Sequence, residues 1–247
     1  MGQDLLNNKT EVIDSQINKL NFKRSFWLIF SAIVVMQVAQ FLLTASYGFD
    51  LEKFPPEFYL YAEIGSIIWF IALVIIVIYD MRIQNMPFGK IFNFDISIAK
   101  ERTPQVIKYF AGCALFVLAV SFLTTGTELQ LEYQTTTTIF LTLITTVILA
   151  PICEEMVFRG YLYTSMFSSF KRKRERMIVN AMLFAGAHVF LIEFIVGATV
   201  PYYIFVLGYL LAKLYEESRS VMPCIILHSL NNSMVFGIDI IKSSYLA

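Results

Sequence analysis

The amino-acid sequence predicts an all-α fold, a polytopic transmembrane bundle of about seven helices with its N-terminus in the cytoplasm. Three observations predict it. Apolar residues supply 57% of the 247 positions and charged residues 15%, well below the usual quarter, and the mean hydropathy is +0.65. Several apolar runs reach the roughly 20 residues needed to cross about 30 Å of hydrocarbon. The basic residues then fall on alternate loops, as orientation by positive charge requires.

The expected spans run Phe26–Ser46, Phe58–Tyr79, Val106–Thr125, Thr136–Phe158, Met177–Val196, Val200–Tyr215 and Val221–Ile240. A polar stretch, Met1 to Arg24, precedes the first. That apolar run is too long for the core of a cleavable signal, so it is read as a span that stays. Residues 1–25 form a cytoplasmic segment in which Leu6, Ile13, Ile17 and Leu20 recur at helical spacing. Such spacing fits a short surface helix and equally a solvated tail. Residues 26–125 hold the first three spans and match no recognisable pattern, whereas residues 136–240 carry every motif discussed below. The sixth span is short enough to be tilted or re-entrant.

The loops test this division. Lys9, Lys19, Lys23 and Arg24 precede the first span; Arg82, Lys90, Lys100, Arg102 and Lys108 lie between the second and third. Arg159, Lys171, Arg172, Lys173, Arg174 and Arg176 separate the fourth from the fifth, and Lys213 and Arg219 the sixth from the seventh. Only Lys53 and Lys242 fall on the opposite side, which places the C-terminus outside. The formal net charge is zero, so nothing indicates a nucleic-acid partner. The Lys171–Arg176 run reads as a topology determinant touching anionic headgroups. The expected partners are the lipid bilayer and a peptide or membrane-protein substrate. The Phe-, Ile-, Lys- and Asn-rich composition fits a bacterium with low genomic GC, and the expected location is its plasma membrane, with the active site toward the cytoplasm.

Three cysteines, Cys113, Cys153 and Cys224, lie in apolar segments without metal-ligand spacing and read as buried small hydrophobes. Gln37 and Gln40 read as groups facing neighbouring helices, and Thr135–Thr138, Thr142, Thr145 and Thr146 as packing and hydrogen-bonding residues. Glu63, Glu193 and Asp239 fall toward the outer span ends, where water is near.

Ionisable groups at membrane depth are costly and point to function. Three clusters stand out: Glu154-Glu155-Met-Val-Phe-Arg159, Phe184-Ala-Gly-Ala-His188 and His228-Ser-Leu-Asn231-Asn232. Glu155 and Arg159 are four apart with the acid first, the favoured orientation for an ion pair. That pairing leaves Glu154, turned about 100° away, to point into the bundle. His228 and Asn232 are also four apart and share a face. At about 1.5 Å per residue, Glu154 lies roughly 7 Å, His228 roughly 11 Å and His188 roughly 17 Å from the cytoplasmic span ends. The set suits amide hydrolysis: a carboxylate base, an imidazole holding water, and a His and a carboxamide donating to an oxyanion. Two His and one Glu, here His188, His228 and Glu154, could instead hold a divalent metal such as zinc. The residues alone leave both open.

In their order and spacing the three motifs resemble those of the CPBP family, the CAAX-protease and bacteriocin-processing (Abi) intramembrane metalloproteases. The resemblance covers about Thr136 to Ile240. It implies a helical bundle with a conical cavity open to the cytosol. It also implies that Glu154 with His188 activates water, that His228 and Asn232 stabilise the oxyanion, and that Glu155 and Arg159 shape the site. Members of this group trim prenylated proteins, process peptides or confer bacteriocin immunity. The expected activity is therefore CAAX-like endopeptidase cleavage of a membrane-associated peptide. A non-catalytic regulator or immunity protein is the alternative. A proton-coupled transporter is disfavoured by the lack of half-to-half similarity and of paired broken helices.

Overall fold

The computed structural model describes residues 20–48, 54–86, 88–123, 135–188 and 199–246. Among these the regular structure is entirely helical. The order is α1 (Phe22–Ser46), α2 (Pro56–Ile83), the short α3 (Phe88–Ile91) and α4 (Ile96–Glu101), α5 (Thr103–Leu123), α6 (Thr136–Ser168), α7 (Lys173–His188), α8 (Thr199–Ser218) and α9 (Met222–Leu246). The described part of each expected span lies on one helix, with the end of the third and residues 189–196 of the fifth outside the described residues. Among the described residues three helices, Phe22–Ser46, Glu57–Ile83 and Thr136–Ser168, are long and apolar enough to cross a bilayer, and Thr103–Ala119 and Met222–Ile238 are shorter apolar stretches. The chain is an integral membrane protein. The proposed N-terminal surface helix over Leu6, Ile13 and Ile17 lies outside the described residues, as does Glu193.

Local chemistry sets the ends. Asn21 caps α1 by accepting from the Arg24 backbone N–H at 3.2 Å. Pro56 occupies the first turn of α2, where a missing N–H costs nothing. Thr135 and Thr138 cap α6 reciprocally. Asp80, buried near the end of α2, accepts from Arg24 at 2.7 Å and also from Gln84 and Tyr161, tying α1, α2 and α6 together.

The fourth span departs from expectation. Its helix does not end at Phe158 but continues to Ser168. Arg159 had marked the start of a cytoplasmic loop, yet it is wholly buried, as are Tyr161, Tyr163 and Met166. The reason is electrostatic: Arg159 is paired inside the bundle, so it never needed water. Glu154 therefore sits about 21 Å, not 7 Å, from its helix end at Ser168. Arg176 likewise turns inward, pairing with Glu216 at 2.9 Å, rather than facing headgroups with the rest of its basic run. In the fifth span the described helix starts at Lys173 and reaches His188, with residues 189–198 outside the described set.

α6 is not uniformly wound. Leu143–Leu149 and Met156–Tyr163 adopt the wider π turn on either side of an α-helical Ala150–Glu155. Pro151 gives a physical reason for the first. It lacks an N–H and crowds the preceding turn. In the wide register the Ala150 N–H bonds to the Thr145 carbonyl, so the next carbonyl, that of Thr146, would look to residue 151 and find no donor. An outside side chain supplies one, as described below.

Candidate active site

Glu155 lies at the centre. Its side chain is wholly buried, and Oε1 accepts from Arg159 Nη1 at 2.9 Å and from His228 Nδ1 at 2.9 Å. Arg159, four residues on and equally buried, also donates from Nη2 to the Gly208 carbonyl at 3.2 Å. Its guanidinium stands 4.2 Å from the centre of the Phe184 ring. The buried charges are thus paired, as burial demands. Oε2 of Glu155 and Nε of Arg159 have no hydrogen-bond partner among the described residues.

Glu154 points elsewhere, as helical geometry requires of its neighbour. Its Oε2 lies 3.4 Å from His188 Nε2 and 4.0 Å from His228 Nε2. It is buried without a hydrogen-bond partner among the described residues. Such an oxygen is a place for a polar guest.

The two imidazoles are oriented by their far nitrogens. His188 Nδ1 is 2.7 Å from the Phe184 carbonyl, which can only accept, so Nδ1 carries the proton. His228 Nδ1 faces the Glu155 carboxylate and carries a proton for the same reason. Both rings therefore turn Nε2 toward Glu154. Phe184 fills the angle between them, its ring centre 4.5 Å from that of His188 and 5.7 Å from that of His228. Gly208 lets α8 close on α7 beside this ring. A Cβ added to Gly208 would stand 3.0 Å from the Phe184 ring and 3.3 Å from the Ala181 Cα.

Asn232 is on the same helix as His228 but is engaged differently. Its Nδ2 donates to the Thr146 carbonyl at 2.9 Å, the carbonyl left open before Pro151. The second wide segment of α6 has a similar clamp, since Asn180 donates from Nδ2 to the Phe158 carbonyl at 2.8 Å. Side chains from α9 and α7 thus hold α6 on both sides of Glu154.

The structure brings Glu154, Glu155, Arg159, His188 and His228 into one contact network and hangs Asn232 beside it. Glu63 accepts from Thr142 at 2.8 Å, and Gln37 donates to the Ala187 carbonyl at 3.3 Å, next to His188. All three cysteines are buried and reduced. Sequence reasoning missed Asn180, Tyr203 and the wide turns of α6. Only Pro151, three residues before Glu154 within an apolar run, signalled the last of these.

Among the described residues no group of three or more His, Cys, Asp and Glu side chains is placed to hold a metal ion. Glu154 Oε2, His188 Nε2 and His228 Nε2 are the atoms a zinc ion would use, with the two imidazole nitrogens 3.4 Å and 4.0 Å from the carboxylate oxygen.

A membrane-embedded helical bundle that buries a carboxylate between two imidazoles has the parts of a hydrolase. Residues 136–234 match the family described as type II CAAX prenyl endopeptidase Rce1-like, a match that includes every motif residue above. Over that segment, which is under half of the chain, the match supports a CAAX/CPBP-type membrane protease. Neither a curated protein nor a solved structure matches the chain.

Proposed function

We propose that the chain is a glutamate-type intramembrane endopeptidase that hydrolyses a peptide bond near the C-terminus of a membrane-anchored, CAAX-like substrate. The observation that carries this reading is the convergence of His188 and His228 Nε2 on the unpartnered Glu154 Oε2. A water held between Glu154 and His188 gives a proton to the Glu154 carboxylate as its oxygen attacks the substrate carbonyl carbon. The carbonyl π electrons move onto oxygen. His228, with Nδ1–H on Glu155 and a second proton on Nε2, donates to that oxyanion. The second N–H of Asn232 is the other donor. Collapse of the tetrahedral intermediate breaks the C–N bond, and Glu154 returns its proton to the leaving nitrogen. The products are a carboxylic acid and an amine.

Glu155 and Arg159 do not touch the substrate in this scheme. They hold the His228 ring, through its Nδ1–H, at the angle that aims Nε2–H at the oxyanion, a role familiar from carboxylate–histidine pairs. Alternation of Lys and Arg supports seven spans with the N-terminus in the cytoplasm. The family description names a prenyl endopeptidase, which supports a lipidated peptide as substrate.

The test uses purified protein in liposomes with a fluorogenic, prenylated CAAX peptide. Glu154→Gln and His188→Ala should each lower kcat by about 10²–10⁴, the usual contribution of a positioned acid–base group, with normal membrane insertion. Full activity in both variants would end the catalytic reading and favour a binding or immunity role.

A further inference from the structure

Asn232 is the end of a longer chain of side chains, and the direction of every hydrogen bond in that chain is fixed. The Thr146 carbonyl has no proton to give, so the Asn232 group 2.9 Å from it is Nδ2. That places Asn232 Oδ1 on the other side, where Asn231 approaches at 3.4 Å. An oxygen there requires a donor, so Asn231 presents Nδ2 and turns its own Oδ1 outward. Tyr203, on α8, donates its phenol O–H to that oxygen. The sequence of donors is thus Tyr203, Asn231, Asn232, and it ends on a backbone carbonyl. Asn231 is buried, and the Tyr203 ring is held by stacking on Phe116 with centres 5.7 Å apart and planes 22° apart.

We infer that Tyr203 is a positioning residue for Asn232, acting through Asn231. Without the phenol proton, Asn231 gains nothing by keeping its oxygen toward α8. Flipped, it would set oxygen against oxygen at Asn232, a repulsion relieved only by turning the Asn232 amide away from Thr146. The second Asn232 N–H is aimed by the same plane, so its direction toward the oxyanion depends on a hydroxyl on another helix. Tyr203 contributes to the transition state without touching it. The inference rests on the oxyanion role proposed above for Asn232.

The experiment is a double-mutant cycle of Tyr203→Phe and Asn232→Ala on the liposome-embedded protein with the prenylated peptide. Tyr203→Phe deletes one hydroxyl and keeps the ring on Phe116. It should lower kcat about three- to tenfold, the effect of a lost neutral hydrogen bond, with KM and thermal midpoint unchanged. In the Asn232→Ala background the same change should have no further effect on kcat, because the two residues act on one group. Asn231→Asp, which keeps the shape but removes the donor, should match Tyr203→Phe or exceed it. If Asn232→Ala is inactive while Tyr203→Phe keeps wild-type kcat, or if the two effects multiply, the positioning role is wrong and the mechanism stands. If Asn232→Ala itself keeps full kcat, the oxyanion assignment fails, and this inference falls with it.

Discussion

Replacing Arg159 by Met tests the buried electrostatics most directly. The substitution keeps much of the side chain's length and removes its charge. Glu155 is then left wholly buried with His228 as its remaining neighbour at 2.9 Å, and the Gly208 carbonyl loses its donor at 3.2 Å. Breaking a buried pair by removing one partner costs about 3–5 kcal/mol, because the surviving charge stays in low dielectric without compensation. The guanidinium contact with Phe184 at 4.2 Å is part of the same loss. It does not add to it in full, since both terms describe one buried cation. The companion variant, Glu155→Leu with Arg159→Met, removes both charges and should recover most of the stability, within about 1–2 kcal/mol of the parent. It should nevertheless be inactive, because His228 no longer has an acceptor for Nδ1–H. Equilibrium unfolding in mixed micelles, followed by tryptophan fluorescence, measures the first quantity, and peptide cleavage the second. An Arg159→Met protein within about 1 kcal/mol of the parent would refute the account of a paired buried charge. An active double variant would refute the role of Glu155 as the anchor of His228.

Three other outcomes are expected. Gly160→Ala should destabilise the protein by about 1–3 kcal/mol, the range for overpacking, because the added Cβ would overlap the Phe92 ring; unchanged unfolding would show that the loop before α4 yields freely. Cys153→Ser should keep at least half of the parent cleavage rate, since the mechanism uses no thiol, and a dead but folded variant would move the nucleophile to sulfur. Treating the liposome-embedded protein with phenanthroline should leave cleavage unchanged. Loss of activity that zinc restores would make Glu154, His188 and His228 metal ligands after all.

Much of the candidate site was legible before any coordinates. The i, i+4 spacing of Glu155 and Arg159 forces those side chains onto one helix face, and their ion pair follows. The same rule turns Glu154 away from that pair, and here it meets both imidazoles. Burial of Cys113, Cys153 and Cys224 followed from apolar surroundings alone. The helix ends were less legible. Arg159 looked like the start of a loop because a lone arginine is expelled from hydrocarbon, and only its partner, unseen by a hydropathy pattern, lets the helix run on to Ser168.

Periodicity and composition by themselves determined that this chain is helical, that it lies in a membrane, and that its costly polar residues gather in three short motifs. Those are local properties, set by side-chain polarity and by the pitch of one helix. Tertiary structure alone decided that His228 leans on Glu155 rather than Glu154, that Asn180 and Asn232 clamp the wide turns of α6, and that Tyr203 reaches Asn231. Each of these joins residues far apart in the chain, and no spacing rule connects them. What connects them is the free-energy gain when a buried donor meets a buried acceptor, and the packed bundle chooses which partners lie within reach.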